Sequence, residues 1–336
     1  MINLLRPATI LGSGTCVTLE PMRYPKFWER YKQAVKNNWT VDEIDWSKDV
    51  SDLAKLSLEE QHIIKRLVAF FATGDVLVGD NIIHGLGSRF NAPEIRQYYL
   101  RQGFEEALHV QFYHQLLLTY ETTQEARSEL FSAVICVPSI AKKAEFMLKH
   151  STVTTANTEP EQALKNLLVF ALAVEGLFFW GAFAYVYYLR SKGLLPGLAD
   201  GTDWVFRDET QHIEAALDIV SILRTEHADL FTPELQRWVS TMLMEATQAE
   251  ILFAQDLLGV SGIPGFALEA MIGYLKYTAN LRAQQAGFLP VYPGAETKIL
   301  PWMATQGARA KTNFFERTVS EYQAEAFGTF SNSADF

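Results

Sequence analysis

Cysteine is nearly missing from this chain of 336 residues: Cys16 and Cys136 are its only two. That is too few for a disulfide framework or a thiolate metal site, and it fits a reducing cytoplasm. Glycine and proline are also sparse, at 20 and 12 residues, and fall mainly between periodic segments. Their scarcity favours long helices over a β architecture. The formal charge is −10 and no stripe of Lys and Arg is present, which argues against sequence-independent nucleic-acid binding. Residues 1 to 16 lack the apolar stretch and cleavage pattern of a signal peptide, so no export is expected. What the chain does have is apolar residues, 49% of the total, enough for one large all-α core.

Long apolar runs are limited to one. From Leu167 to Leu189 the sole charge is Glu175, and the length alone would span a bilayer. No other segment is comparable, and a helix apolar all round is equally at home in the centre of a large bundle. An unpaired Glu at mid-membrane would be costly. A metal-ligand role explains Glu175 better, so no membrane is expected.

The periodic segments predict a succession of helices. A capping box at Ser57-Leu58-Glu59-Glu60 opens one that runs to about Phe90 with Asp75 near its middle. A second runs from about Pro93 to Tyr120, and a third stretch over 123–150 is interrupted near Pro138. Thr158-Glu159-Pro160-Glu161 is a second capping-box pattern, ahead of the apolar helix that ends by Gly193 and Pro196. Another helix is expected from Thr202 or Asp203, and two more from Thr232-Pro233 and near Pro264. Beyond about Pro290 the pattern weakens, and the last twenty residues read as a mobile tail.

Two copies of one pattern lie on these helices. Asp75 precedes Glu106-Ala107-Leu108-His109, and Glu175 precedes Glu209-Thr210-Gln211-His212 at a similar interval. At i and i+3 on a helix, Glu and His lie about 60° apart around the axis, so both can reach one ion. Two such helices, each preceded by a lone acid, form the pattern of a dinuclear carboxylate site in a four-helix bundle. The acids Asp75, Glu106, Glu175 and Glu209 would neutralise two divalent cations, and His109 and His212 give one nitrogen per metal. Such hard ligation suits iron or manganese over structural zinc. A lone Glu-x-x-His is a weak signal, usually a solvated face; the duplication is what carries the reading.

Neighbouring residues divide into bystanders and candidates. Glu105 points about 100° away from Glu106 and reads as a supporting or structural group. Asp80 is a weaker alternative to Asp75. His62, His84, His114, His150 and His227 have no partner at metal-ligand spacing and read as structural. Tyr113 shares the face of Glu106 and His109, where a phenol one turn from an oxidised metal pair could store a radical, although an aromatic at this spacing is more often core packing. Phe179 and Phe183 follow Glu175 at i+4 and i+8, as pocket walls or as ordinary core.

At this point the chain resembles the small, radical-generating subunit of class I ribonucleotide reductases over nearly its whole length. The resemblance implies an all-α, ferritin-like helical bundle with a dinuclear metal site in its core, as ribonucleoside-diphosphate reductase subunit beta. It implies Asp75, Glu106, His109, Glu175, Glu209 and His212 as ligands of two metal ions, iron, manganese or one of each, and Tyr113 as the radical site. Trp39, within Asn38-Trp39-Thr40-Val41-Asp42-Glu43, matches the Trp that begins the family's electron path, with Asp208 as its partner. Residues 313–323 resemble the family's C-terminal stretch, with Tyr322 as the relay tyrosine. Asn332-Ser333-Ala334-Asp335-Phe336 resembles its docking peptide.

The division implied is a radical-generating domain over 1–315 and a flexible docking tail over 316–336. Expected partners are the large catalytic subunit, a second copy in a homodimer and, with manganese, a flavodoxin-like activase. The two separated cysteines and the lack of a phosphate-binding glycine loop agree with a subunit that exports an oxidant and does not hold nucleotide. Rival readings are a ferritin-like ligand-binding oxidase acting without a large subunit, a bacterioferritin-like iron store and a membrane di-iron protein.

Overall fold

A computed structural model describes residues 9–12, 16–82, 86–121, 123–150, 155, 157–295 and 298–306. Ten principal helices make up the described residues: α1 (Pro25–Lys36), α2 (Ser47–Leu53), α3 (Leu58–Asn81), α4 (Pro93–Tyr120), α5 (Gln124–Cys136), α6 (Pro138–His150), α7 (Pro160–Ser191), α8 (Pro196–Glu226), α9 (Pro233–Leu258) and α10 (Leu268–Gln285). No strand occurs among them, only an isolated bridge between Ile263 and Phe266. Two helix pairs, α3 with α4 and α7 with α8, form the centre; α1 packs on α4, and α9 and α10 close over α7.

Local sequence sets several of the boundaries. Ser57 and Glu60 exchange both bonds of the capping box at the start of α3: Glu60 N–H donates to Ser57 Oγ at 3.3 Å and Ser57 N–H to Glu60 Oε2 at 2.9 Å. Thr232 caps α9 through Leu235 N–H at 3.2 Å. The second expected capping box is not formed. Glu159 takes the N-cap position of α7 without a side-chain bond, and the Thr158 hydroxyl instead accepts from Thr155 N–H at 2.7 Å.

The start of α8 also differs from expectation, at Pro196 and not near Thr202. Its first turn is capped from far away in sequence: Asp49 on α2 accepts from Gly197 N–H at 2.7 Å and Leu198 N–H at 2.8 Å. A carboxylate at a helix N-terminus satisfies donors that have no intrahelical partner and favours the dipole. That support lets Gly197 and Gly201 be helical, where propensity alone would break the helix.

The apolar helix α7 is 94% buried over its most apolar window, as expected of a central core helix. It is not uniform. Val169–Phe179 is wound as a π-helix, whose wider turn shifts the register of every later side chain. Buried Arg282, from α10, donates its Nε–H to the carbonyl of Gly176 at 2.9 Å. A Cβ at Gly176 would lie 2.5 Å from the Ala171 oxygen and 3.1 Å from Arg282, so only glycine fits there. The residue before it is Glu175.

Candidate metal centre

Glu106 and His109 face inward from α4, Glu175 from the π-wound part of α7, and Glu209 and His212 from α8. All five are at most 3% exposed. Glu106, Glu175, Glu209 and His212 each offer a ligand atom, and these atoms lie within 4.8 Å of one another. His109 joins them through the two central carboxylates. Glu106 places Oε2 at 3.6 Å from His109 Nδ1 and Oε1 at 3.1 Å from His212 Nδ1. Glu209 places Oε1 at 3.3 Å from His109 Nδ1 and Oε2 at 3.4 Å from His212 Nδ1. Each carboxylate thus spans the two imidazoles, one oxygen toward each.

These atoms lack ordinary partners. Both oxygens of Glu106, both of Glu209 and both Nδ1 atoms are buried without a hydrogen bond. Orphaned polar atoms are expensive in a core, and so many converging on one point fit bound cations. The donor set, oxygen-rich with two imidazoles, fits hard divalent ions. Asp75 lies on α3, but its side chain is outside the described residues. Asp80 is exposed and takes no part.

Behind each imidazole stands a carboxylate from the opposite helix. His212 Nε2 lies 2.9 Å from Glu105 Oε2, and His109 Nε2 lies 3.5 Å from Asp208 Oδ2. Each second nitrogen thus faces an acceptor, which turns Nδ1 toward the centre. Asp208 also accepts from the Trp39 indole N–H at 2.8 Å and from Arg207. Glu105 pairs with Arg101 at 3.2 Å. Both supporting acids directly precede a ligand Glu, so Glu105-Glu106 and Asp208-Glu209 extend the repeat by one position. Those doublets are the sequence signal for Glu105 and Asp208; nothing in the sequence marked Arg101 or Arg282.

Without cations the charges compensate one another. Burial resists ionisation of Glu106, yet the two facing imidazoles hold its carboxyl down at about 2. Burial lifts Glu175 well above the carboxylate range, and repulsion from Glu209 adds to it. Its only described side-chain hydrogen bond is from Gln102 Nε2 at 3.3 Å. For His109, burial opposes charge, but Asp208, Glu106 and Glu209 outweigh it and raise the imidazole well above its usual value. His212 is raised in the same way by Glu105, Glu106 and Glu209. The metal-free centre therefore stores protons where cations would sit.

Tyr113 is buried one turn beyond His109 and stacks on Phe71, with ring centroids 4.1 Å apart and planes 4° from parallel. Phe179 and Phe183 pack against the same Phe71 ring, each at 6.4 Å. His62 and His150 sit against Asp256 and Glu245, and His114 is exposed. His84, Tyr322 and Asn332 to Phe336 lie outside the described residues.

Comparison with known proteins places the chain. The family model described as ribonucleotide reductase, small chain, matches residues 16–298. The ribonucleoside-diphosphate reductase subunit beta of Chlamydia pneumoniae is 31% identical over 320 residues, covering 91% of this chain and 89% of the relative. The small chain of Variola virus is 33% identical over 303 residues, covering 90% of each. Among solved structures, the ribonucleotide reductase R2 subunit from Clostridium botulinum has a TM-score of 0.82 at 21% identity, over 90% of this chain and 96% of that one. The dimanganese(II)-NrdF of Streptococcus sanguinis has a TM-score of 0.75 at 18% identity, over 88% and 99%. At those identities the structures speak for a shared ferritin-like fold alone. The family match and the relatives above 30% identity go further: this chain belongs to the ribonucleotide reductase small-chain family.

Proposed function

We propose that this chain generates and stores the oxidising equivalent for a class I ribonucleoside-diphosphate reductase, with Asp75, Glu106, His109, Glu175, Glu209 and His212 holding two metal ions. The observation that carries this is the convergence of partnerless carboxylate oxygens between two imidazoles on duplicated Glu-x-x-His helices. Bound iron or manganese supplies one-electron oxidising power by reaction with dioxygen or a reduced oxygen species.

The chain's own residues do the rest. Glu106 and Glu209, each facing both imidazoles, would hold the ions, and Asp208 and Glu105 orient the imidazoles. Glu175, on the π-wound segment, accepts from Gln102 and, unlike Glu106 and Glu209, faces neither imidazole within ion-pair distance among the described contacts. Tyr113 donates an electron and its phenolic proton. Phe71 and Phe112 pack against it with rings that resist oxidation, and Phe179 and Phe183 back the Phe71 ring. His109, Asp208 and Trp39 form a contiguous route away from the centre, with Tyr322 as the next relay and residues 316–336 as the segment that docks on the large subunit.

A homodimer is the expected assembly; a solved neighbour with a TM-score of 0.73 is the Rnr4 homodimer of Saccharomyces cerevisiae. A flavodoxin-like activase joins if manganese is the native metal. The acidic balance speaks against nucleic-acid binding, and the two separated cysteines fit a reducing cytoplasm. The rival oxidase needs room for its substrate. The cavity beside Glu175 and His212 has a volume of about 10 Å³, space for about one water-sized molecule.

The test is nucleotide reduction by the metal-loaded chain with its large subunit, before and after removal of Asn332 to Phe336. Truncation should leave metals and radical unchanged and abolish turnover. Normal turnover after truncation would overturn the docking assignment. Oxidation of a small molecule without a large subunit would favour the rival oxidase.

A further inference from the structure

Most of the described candidate ligands are fixed through side chains: Asp208 and Glu105 stand behind the imidazoles, and Glu106 and Glu209 each face both of them. Glu175 has only the bond from Gln102 at 3.3 Å. Its direction is therefore set by the backbone that carries it, the π-wound stretch Val169–Phe179. One residue grips that backbone from another helix. Arg282 is 5% exposed, and its guanidinium brackets the end of the stretch. Nε–H donates to the Gly176 carbonyl at 2.9 Å, and the guanidinium carbon lies 4.4 Å from the centroid of the Trp180 ring. Nη1 donates to Gln285 at 2.8 Å, and Nη2 is buried without a hydrogen bond. Among the described residues no carboxylate pairs with it; burial lowers it to about 10, so it stays charged at neutral pH. A cation buried without a counter-ion is unfavourable, and packing alone would be served by an apolar side chain. What the guanidinium adds is a donor to one carbonyl of a wide turn and a charge over the ring that follows it.

We propose that Arg282 is the positioning residue for Glu175: by holding the wide turn at Gly176 it aims the carboxylate at the metal position on the His212 side. The proposal rests on the two-metal reading. Glu175 shares its cluster of ligand atoms with Glu106, Glu209 and His212, so the latch acts on the ion beside His212. Gly176 completes the latch. A Cβ there would lie 2.5 Å from the Ala171 oxygen and 3.1 Å from Arg282, so alanine opposes the wide turn and the guanidinium together. In a regular α-helix alanine is the preferred residue, and the substitution therefore pushes the backbone away from the π winding.

Manganese is titrated into the metal-free proteins, with the free ion read by electron paramagnetic resonance. Wild type should take up about two ions per chain. Arg282→Met should bind one of them normally and the other about 10- to 100-fold more weakly, the range for loss of a group that orients a ligand. Arg282→Lys keeps the charge and an N–H donor and should recover part of the loss. Gly176→Ala should reproduce it, and its combination with Arg282→Met should add little, because both act on one turn. A second readout needs no metal: amide hydrogen exchange in metal-free Arg282→Met should quicken within residues 169–179 and stay unchanged in α4 and α8. Equal weakening of both ions, or faster exchange throughout the bundle, would make Arg282 a general structural residue and overturn the proposal. So would an Arg282→Met protein that binds both ions as tightly as wild type. If Arg282→Met does not fold, Arg282→Lys and Gly176→Ala carry the same comparison. A wild type that binds no manganese or iron would remove the two-metal reading itself, an outcome distinct from each of these.

Discussion

The two imidazoles of the centre are held by related devices that lead to different surroundings. Behind His109, Asp208 accepts from the Trp39 indole, and Trp39 touches Trp204. Behind His212, Glu105 meets Arg101, whose guanidinium continues to Asn38 Oδ1 at 3.2 Å and the Ala34 carbonyl at 3.0 Å. One arm ends in oxidisable rings; the other ends in a cation and backbone. Both reach the same stretch of chain, because Arg207, beside Asp208, donates to the Asn37 carbonyl at 2.7 Å. On the proposed reading, the duplicated helix pair gives two metals near-symmetric ligands, and the residues behind them make one side conducting and the other insulating.

The largest effect should come from removing what the two sides share. Glu106 and Glu209 each face both imidazoles, so the Glu106→Ala, Glu209→Ala double variant should lose essentially all of the about two metal ions per chain expected of such a site. Metal analysis of the purified protein checks this, and full occupancy would end the ligand assignment. Next in size is a change confined to one arm. Trp39→Phe should keep the metals and abolish nucleotide reduction, whereas Arg101→Lys, on the other arm, should reduce it by no more than a few-fold. Equal losses of turnover would show that both arms conduct, or that neither does.

A pH series probes the protons that the two sides hold in common. Burial opposes charge on His109 and His212, yet the surrounding carboxylates raise both, and burial followed by Glu209 raises Glu175. Groups raised on folding stabilise the metal-free chain below their unfolded values, and that contribution is lost as pH climbs through the folded ones. For the imidazoles the loss lies above about 6.5. Glu106, held at about 2, acts oppositely: its contribution is present above the ordinary carboxylate range and is lost only as pH falls toward 2. Cations must displace the stored protons, so affinity should rise about tenfold per pH unit for each proton released. Thermal melts with and without manganese, from mildly acidic to mildly alkaline pH, should separate progressively. A constant separation would show that no proton is displaced.

Much of this centre was legible in the sequence because its chemistry repeats at helical spacing. Glu106, His109, Glu209 and His212 needed only that spacing and their helices. Glu175 was legible as the one charge in an apolar run, but the π-winding that sets its direction was not. Arg282 stabilises that winding from more than a hundred residues away, and no local pattern encodes such a contact. The early start of α8 escaped for the same reason, since its cap is Asp49 on another helix. Tyr113 and Trp39 were placed by resemblance to the family; their geometry alone fits core packing as well. The missed features are tertiary bonds to backbone groups, which leave no periodic trace.

Exchange of the supporting acids separates the two arms most sharply. His212 to Glu105 is a short contact at 2.9 Å, whereas His109 to Asp208 is longer at 3.5 Å. The orientation of His212 thus depends more on its acid than that of His109 does. Loss of such a supporting carboxylate costs about 10- to 100-fold in metal affinity. Glu105→Gln should fall at the upper end of that range, because it also leaves buried Arg101 without its counter-charge. Asp208→Asn should fall at the lower end, because Arg207, the neighbouring cation, is partly exposed. Turnover should rank the variants the other way: with metal supplied in excess, Glu105→Gln should reduce nucleotides at near the normal rate and Asp208→Asn should not, its link to Trp39 being altered. Manganese titration of the metal-free proteins, followed by assays of the loaded ones, tests the crossing. If one variant is worse in both measurements, support and conduction are not divided between the arms, and the comparison fails.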